Sequence, residues 1–445
     1  MSTSVRETDV EFLIKLGDLI KHELSLRAGD DALFECGGAV TAILPSHPEE
    51  VLELAYGKLQ TWPFKDVPIC WRRAYEEASL FQVLKLIHHH LGSAYSTKGA
   101  DLRYDVVGLV REWTKILDMA IILTGAPGRR IFLDRIFDEF QQYLDSMGDV
   151  ADGTTPSKAF PQSKSSNITA STIPRKSRMS LLNFQRHLDA HGGPIIIDNQ
   201  VTHWPAYILW SNPRYLHRQT LHGNRLVPVE LGRSYTDDGW SQQIMPFGAY
   251  LQSHLLNPSA NNKTGYLAQH DLLEQIPALS NDTITPDLCY ADPPEQDPSQ
   301  PSQPKLDHPL RNAWLGPAGT ISPLHTDPYH NILCQVVGRK YVRLYAPSQT
   351  EKLYPRGVDE AGVNMENTSR VDVHLARRLF ENHDANGANG EDSERIEFEA
   401  QFPRFKDAAY VECMLEAGQC LYIPIGWWHY IESLEVSFNV SYWFN

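Results

Sequence analysis

The stretch Trp314–Tyr345, WLGPAGTISPLHTDPYHNILCQVVGRKYVRLY, constrains the fold more than any other part of the 445-residue chain. Apolar residues alternate through it at Ile332, Cys334, Val336, Val342 and Leu344, the spacing of β-strands. Ser322, Asn331 and Lys340 stand among them, and polar side chains at strand positions predict strands that line a cavity. Residues two apart on a strand face the same way, so His325 and Asp327 are expected to project together with Thr326 turned away. An imidazole and a carboxylate make two thirds of a metal site. The third ligand is sought near the C-terminus, where GQCLYIPIGWWHYIESLEVSFNVSYWF carries His429 at the end of an apolar run, just after Pro424 and Gly426.

Two histidines and one carboxylate that leave coordination positions open form the facial triad of non-haem Fe(II) oxygenases. Other histidines fit less well. His330 lies at an odd offset from His325 and points away if the strand continues. His374 sits in a helix-like stretch, and His203 and His270 read as structural. His88, His89 and His90 are adjacent, so a helix would spread them by about 100° each instead of aiming them at one ion.

With these residues in view, the segment LGPAGTISPLHTDPYHNILCQVVGRKYVRLYAPSQ, together with IPIGWWHYIESLEVSFNVSYWF, resembles the Jumonji-C oxygenases, and within them the arginyl-hydroxylase subgroup also called lysine demethylase 8. VPVELGRSYTDDGWSQQIM at 227–245, GYLAQHDLLEQIPALSND at 265–282 and TWPFKDVPICWRRAYEEASL at 61–80 extend the similarity over most of the chain. The resemblance implies an α+β protein: a double-stranded β-helix (jelly-roll, cupin-like) catalytic domain preceded by an α-helical N-terminal domain. It implies Fe(II) held by His325, Asp327 and His429, with 2-oxoglutarate as cosubstrate and O₂ as oxidant. The far carboxylate of 2-oxoglutarate needs a cation and hydroxyl donors, since a buried anion without partners is costly. Lys340 is the candidate cation, Tyr235 and Ser322 the candidate donors, and Asn331 matches the residue that contacts the cosubstrate near the metal. On local sequence alone, a Lys after Gly-Arg in a strand reads first as a solvated turn or edge residue, and Tyr235 could serve simply as a core aromatic. Trp314, Trp427 and Trp428 are expected as pocket walls or core. Asp198 and Glu230 stand in strand contexts as either binders of a cationic substrate side chain or satisfied edge carboxylates.

The remaining sequence organises around this domain. Residues 1–147 repeat apolar residues at three- and four-residue spacing in five long stretches, which predicts a helical domain without catalytic residues. Residues 148–179 are rich in Ser, Thr, Pro and Lys and predict a flexible linker. Lys158, Lys164, Arg175, Lys176 and Arg178 make it locally basic. Residues 180–445 form the catalytic part, where many short strands between turns predict a barrel or sandwich. A helix is expected over LLNFQRHLDA, a buried strand at Pro194–Ile197, a strand over LVPVELGRSY and a helix over IMPFGAYLQSHLL. Two polar stretches, 285–308 and 382–396, read as mobile surface insertions, and the second lengthens the gap between Asp327 and His429 to 102 residues.

A net charge of −15 argues against a nucleic-acid backbone as partner and suits a basic polypeptide, either an arginine-bearing protein or a histone tail. The six cysteines show no paired zinc spacing and fit a reduced intracellular protein, while no signal peptide or 18-residue apolar run points to secretion or a membrane. Asn167-Ile168-Thr169 matches a glycosylation sequon of no expected use. Nuclear or cytoplasmic residence follows from the resemblance. The leading expectation is a Fe(II)- and 2-oxoglutarate-dependent hydroxylase of peptidyl arginine, releasing succinate and CO₂. Demethylation of histone methyl-lysine at the same site is the alternative. A non-catalytic chromatin scaffold and a zinc or manganese cupin hydrolase rank below both.

Overall fold

The computed structural model describes residues 7–96, 105–148, 159–161, 172–237, 239–259, 263–294, 303–358, 362, 364–381 and 389–445. Asn167, Lys158, Lys164 and most of the expected linker lie outside them, as does 382–388. Two compact units emerge. One comprises residues 1–155 with 217–226 and 246–248, and the other comprises the rest. The short segments 217–226 and 246–248 thus join the helical unit, although in sequence they lie within the catalytic part.

The helical unit is built on helices Glu7–Ser25, Pro48–Leu59, Ile69–Ser96, Val106–Thr124 and Arg130–Ser146. Asp105 caps one of these by accepting from the Gly108 N–H, and Gly125 ends it in the left-handed conformation that glycine adopts without strain. Leu16, Ile20, Val83, Ile87, Trp113, Leu117, Ile136 and Phe140 form its core, and Leu221 packs there too. The buried Arg225 reaches Asp118 with a forked pair of hydrogen bonds at 2.7 and 2.9 Å. No helix among the described residues is long and apolar enough to cross a membrane.

The second unit is a jelly roll of two sheets. In chain order the strands are β1 (Arg175–Ser177), β2 (Ile195–Asp198), β3 (Leu226–Leu231), β4 (Ser241–Pro246), β5 (Gly265–His270), β6 (Leu310–Gly316), β7 (Ile321–His325), β8 (His330–Val337), β9 (Arg339–Tyr345), β10 (Tyr410–Glu416), β11 (Cys420–Ile423), β12 (Trp428–Ser433) and β13 (Ser437–Phe444). The larger sheet runs β1-β2-β11-β8-β13-β6-β5-β3-β4, and the smaller β10-β9-β12-β7. Between them Val342, Leu344, Cys413, Leu415 and Ile431 from the smaller sheet meet Ile196, Leu333, Leu421 and Ile423 from the larger. β8 is buried along its whole length because β11 and β13 flank it and both of its faces are covered. Gly338 turns β8 into β9 at φ +73°, where a side chain would also run into the Val436 carbonyl.

Four expectations need correction. The linker ends earlier than its composition suggests: Ile173 is buried in the inter-sheet core, and β1 pairs in parallel with β2. One apolar anchor followed by a strand edge is enough to order a polar segment. Second, Ile244 to Pro246 belong to β4, and the helix begins at Phe247. Third, part of the 285–308 insertion packs, since Asp287–Tyr290 forms a short helical turn with Leu288 and Cys289 buried. Fourth, the 382–396 stretch is not a loop throughout. A helix runs Asn389–Gln401, and Phe398 and Phe402 bury against the outer face of the smaller sheet beside Tyr345 and Tyr430. Burying each phenylalanine contributes about 2 kcal/mol, sufficient to dock a helix whose other residues are mostly polar.

Candidate metal centre

β7 and β12 pair antiparallel, and their register sets His325 directly opposite His429. The two rings lie 4.1 Å apart, centroid to centroid. Each imidazole is oriented by its own backbone: His325 Nδ1 lies 2.7 Å from the Pro323 carbonyl, and His429 Nδ1 lies 3.1 Å from that of Trp427. Donation from both Nδ1 atoms leaves both Nε2 atoms as free lone pairs aimed at one point.

Asp327 closes the triangle. Its two oxygens lie 3.6 Å from His325 Nε2 and 3.5 Å from His429 Nε2. One ligand atom from each residue falls within 4.8 Å of the others, the only such His/Cys/Asp/Glu group found among the described residues. The route by which Asp327 arrives differs from expectation. β7 stops at His325, so Asp327 does not share its face as the next strand position. Pro328 bars the helical region to Asp327, and the Thr326 N–H leaves the ladder to bond the Asn367 carbonyl. Because the strand breaks here, the offset argument for His330 does not apply; that ring nonetheless turns elsewhere, with Nδ1 2.8 Å from the Tyr422 hydroxyl. His374 lies on helix Val373–Glu381, near Glu432.

Electrostatics suit a cation. Burial by itself would push the Asp327 carboxyl up, but the two imidazoles outweigh it and hold the group well below the usual carboxylate range. Burial pulls His325 down, and its contacts with Asp327 more than reverse this. The second Asp327 oxygen also accepts from Asn331 Nδ2 at 3.0 Å, which fixes the carboxylate plane. The donor set and its orientation fit a divalent first-row metal.

A pocket opens beside the triad, lined by Tyr266, Trp314, Ser322, Asn331, Lys340, Asn439 and Ser441 among others. Lys340 is 2% exposed and lies in no ion pair among the described residues. Its ammonium donates to the Tyr266 hydroxyl at 3.1 Å, and burial pulls its pKa down to about 7. The Asn331 and Asn439 side-chain oxygens are buried with no hydrogen-bond partner among the described residues. A buried cation without an anion, beside unsatisfied polar atoms, is the environment a small dicarboxylate would complete.

The proposed site residues are distributed unequally. His325, Asp327, His429, Ser322, Asn331 and Lys340 converge on this pocket. Tyr235 does not line it; its hydroxyl lies 3.4 Å from that of Thr368, and burial raises its pKa. The phenol on Lys340 belongs to Tyr266, which also hydrogen-bonds Ser322. Tyr266 went unselected although GYLAQH was among the informative segments, because nothing local shows that β5 lies across from Lys340. Asn439 and Ser441 carried a readable signal: they alternate with apolar residues on the terminal strand. Glu230 is the β-partner of Tyr266, and burial raises its pKa. Asp198 lies on β2, away from the pocket lining, with its charge answered by Gln419 at 2.8 Å and Arg175 at 3.7 Å.

Replacing Tyr266 with Phe is expected to weaken binding of a small dicarboxylate beside Lys340 about tenfold, the value of one charge-linked hydrogen bond. Calorimetric titration of 2-oxoglutarate into the parent and the variant, each loaded with Mn(II), measures it.

Residues 181–445 match the family profile of the cupin-like domain. The chain is 41% identical over 273 residues to "Lysine-specific demethylase 8" of Xenopus tropicalis, a match covering 61% of this chain and 53%, about half, of that protein. It is 31% identical over 425 residues to "Lysine-specific demethylase JMJ30" of Arabidopsis thaliana, covering 90% of this chain and 86% of the relative. "Jumonji C domain-containing protein 5" of Drosophila melanogaster is 30% identical over 442 residues, covering 98% and 94%.

Proposed function

We propose, for a chain that belongs to the Jumonji-C family of Fe(II)- and 2-oxoglutarate-dependent oxygenases, that its reaction is the hydroxylation of an arginine side chain in a polypeptide. The observation that carries the reading is the convergence of His325, Asp327 and His429 beside a buried Lys340 that has no counter-ion among the described residues. His325, Asp327 and His429 would hold Fe(II) on one face. When bound, iron with 2-oxoglutarate and O₂ supplies the oxidising power that inserts oxygen into a C–H bond, with succinate and CO₂ as coproducts.

The protein's own groups orient and neutralise. Lys340 answers the distal carboxylate of the cosubstrate, Tyr266 and Ser322 hydrogen-bond beside it, and Asn331 keeps the Asp327 carboxylate turned toward its site. Trp314, held by an Nε1–H bond to Ser441 at 3.0 Å, walls the pocket against water. Glu230 supplies a carboxylate next to Tyr266 for a cationic substrate group. Such a carboxylate would suit a guanidinium or a methylated ammonium alike, since both stay charged at physiological pH. Asp198 has no comparable position.

Histone methyl-lysine demethylation is the second reading, favoured by the names of the relatives. There the same insertion at an N-methyl group gives a hemiaminal that releases formaldehyde. Mass spectrometry of peptides after turnover separates the two: arginine peptides gain one oxygen in the first case, and methyl-lysine peptides lose a methylene equivalent in the second. Loss of methyl without oxygen gain on any arginine peptide would reverse the order. A basic polypeptide substrate suits the net charge of −15, and nuclear residence fits the histone reading.

A further inference from the structure

We propose that His330 is a positioning residue of the metal centre: through one ring nitrogen it ties the start of β8, which carries Asn331, to the turn 424–427, which carries the carbonyl behind His429. The proposal deepens the reading of His325, Asp327 and His429 as metal ligands and rests on it.

The imidazole is fixed on both sides. It is 8% exposed and lies nearly parallel to the Tyr422 ring, with 9° between the planes and 5.9 Å between the centroids, while the Phe444 ring centroid lies 5.6 Å away. Nδ1 is 2.8 Å from the Tyr422 hydroxyl and 3.4 Å from the Ile425 backbone nitrogen. A backbone N–H can only donate, so Nδ1 must offer its lone pair and the ring proton sits on Nε2. The Tyr422 hydroxyl then donates as well. Burial pulls the pKa of His330 down to about 4, so that lone pair stays free of a proton at neutral pH.

What the ring joins gives it a role beyond packing. β11 ends at Ile423, paired with Asn331, and the chain then leaves the sheet. The turn that follows is closed by the Trp427 N–H on the Pro424 carbonyl at 3.2 Å. The Trp427 carbonyl faces His429 Nδ1 at 3.1 Å, so the placing of this turn sets the aim of a ligand. Ile425 is where the turn is tied back to β8. On the other arm, Asn331 follows His330 directly and donates to Asp327 at 3.0 Å. One buried ring thus meets the support of an imidazole ligand and the support of the carboxylate ligand. Ligands must be held to within about 0.5 Å of their working geometry, which a bridge between the two supports secures better than two separate ends.

A role in packing alone is the competing account. It predicts a less stable chain whose site, once folded, binds metal as before.

The test uses the full chain and needs no turnover: Mn(II) affinity by calorimetric titration, with thermal unfolding of the metal-free chains recorded beside it. His330→Leu keeps apolar bulk and removes the acceptor, and is expected to bind Mn(II) about tenfold more weakly, the lower end of what losing an outer-shell partner costs. His330→Gln returns a side-chain oxygen as acceptor and is expected to stay within about threefold of the parent, less than one hydrogen bond is worth. A lower unfolding temperature with parent-like Mn(II) affinity in the Leu variant would overturn the proposal in favour of packing. So would a Gln variant that binds as weakly as the Leu variant. His330→Phe keeps the ring contacts with Tyr422 and Phe444 and makes the same comparison if the Leu variant does not fold. The parent alone supplies a further check by ¹⁵N NMR of its histidines, in which a proton found on Nδ1 of His330 sinks the idea, since Ile425 could not then donate to it. Weakened Mn(II) binding with rescue by Gln, in a parent that releases no succinate, fails the functional reading alone. Succinate release by the parent, with Mn(II) held equally by all variants, fails the role of His330 alone.

Discussion

Replacing His429 with Ala is expected to abolish succinate release, by well over a hundredfold, while thermal unfolding and far-UV circular dichroism stay close to those of the parent. Losing even an outer-shell partner of a metal ligand costs about 10–100-fold in affinity or activity, so losing a ligand must cost more. His429 is 2% exposed, but its neighbours on β12 carry the packing. Trp428 and Tyr430 point to the outer face, where they join Phe398 and Phe402, and the backbone ladder to β7 and β9 does not depend on the imidazole. Titration of Mn(II) into the variant gives a second readout that needs no turnover. Retained succinate release would show that the metal, if any, is held elsewhere.

Replacing Lys340 with Met should divide stability from activity. The ammonium is buried with a hydroxyl for company and no counter-ion among the described residues, which lowers its pKa from 10.5 to about 7. At about 1.4 kcal/mol per unit, keeping it charged at pH 7 costs the folded chain on the order of 4 kcal/mol. A methionine of similar length removes that cost. In the absence of metal and cosubstrate, the variant is expected to unfold roughly 5–10 °C higher. Its KM for 2-oxoglutarate should rise about a hundredfold or more, since the distal carboxylate would then be buried without a cation.

The pH dependence carries the same signature. The folded pKa lies below the unfolded one, so between about pH 7 and 10.5 the unfolded chain holds the extra proton. Stability of the parent protein must therefore gain from Lys340 as pH rises across that window, and Lys340→Met must lack this gain. Calorimetry of both chains at pH 7 and pH 10 checks it. An unchanged or lower midpoint for the variant at pH 7 would mean that the ammonium is hydrated in the folded state.

Much of the site could be read from residue order because its parts are local or self-announcing. His325 and Asp327 sit two apart in a run of alternating apolar residues, and Lys340 and Asn331 are polar in a segment otherwise fit for a core. The helices of the first unit announce themselves by period, and the strands of the second by alternation. What escaped notice depends on which strands become neighbours. Tyr266 meets Lys340 only because β5 stands beside β6. Tyr235, closer to the eye in its polar-aromatic turn, pairs with Thr368 instead. The helix Asn389–Gln401 was invisible for a different reason: the stretch leading into it is rich in glycine and asparagine, its own first turns are mostly acidic, and only Phe398 and Phe402 reveal a face to bury. The break after His325 was written in Asp327-Pro328, but its effect on the geometry of the pair was not.

The opposition of His325 and His429 across a hydrogen-bonded ladder makes the candidate metal site a gauge of strand alignment. Sixty-odd residues can be spliced between β9 and β10, as the helices on the outer face demonstrate, because the excursion leaves and returns to the same sheet. One residue added or removed between Gly426 and His429 would reverse which way that imidazole looks and leave the two rings on opposite sides of the sheet. Length can therefore be added within that excursion without disturbing the two imidazoles, but not within the few residues that keep their strands in step.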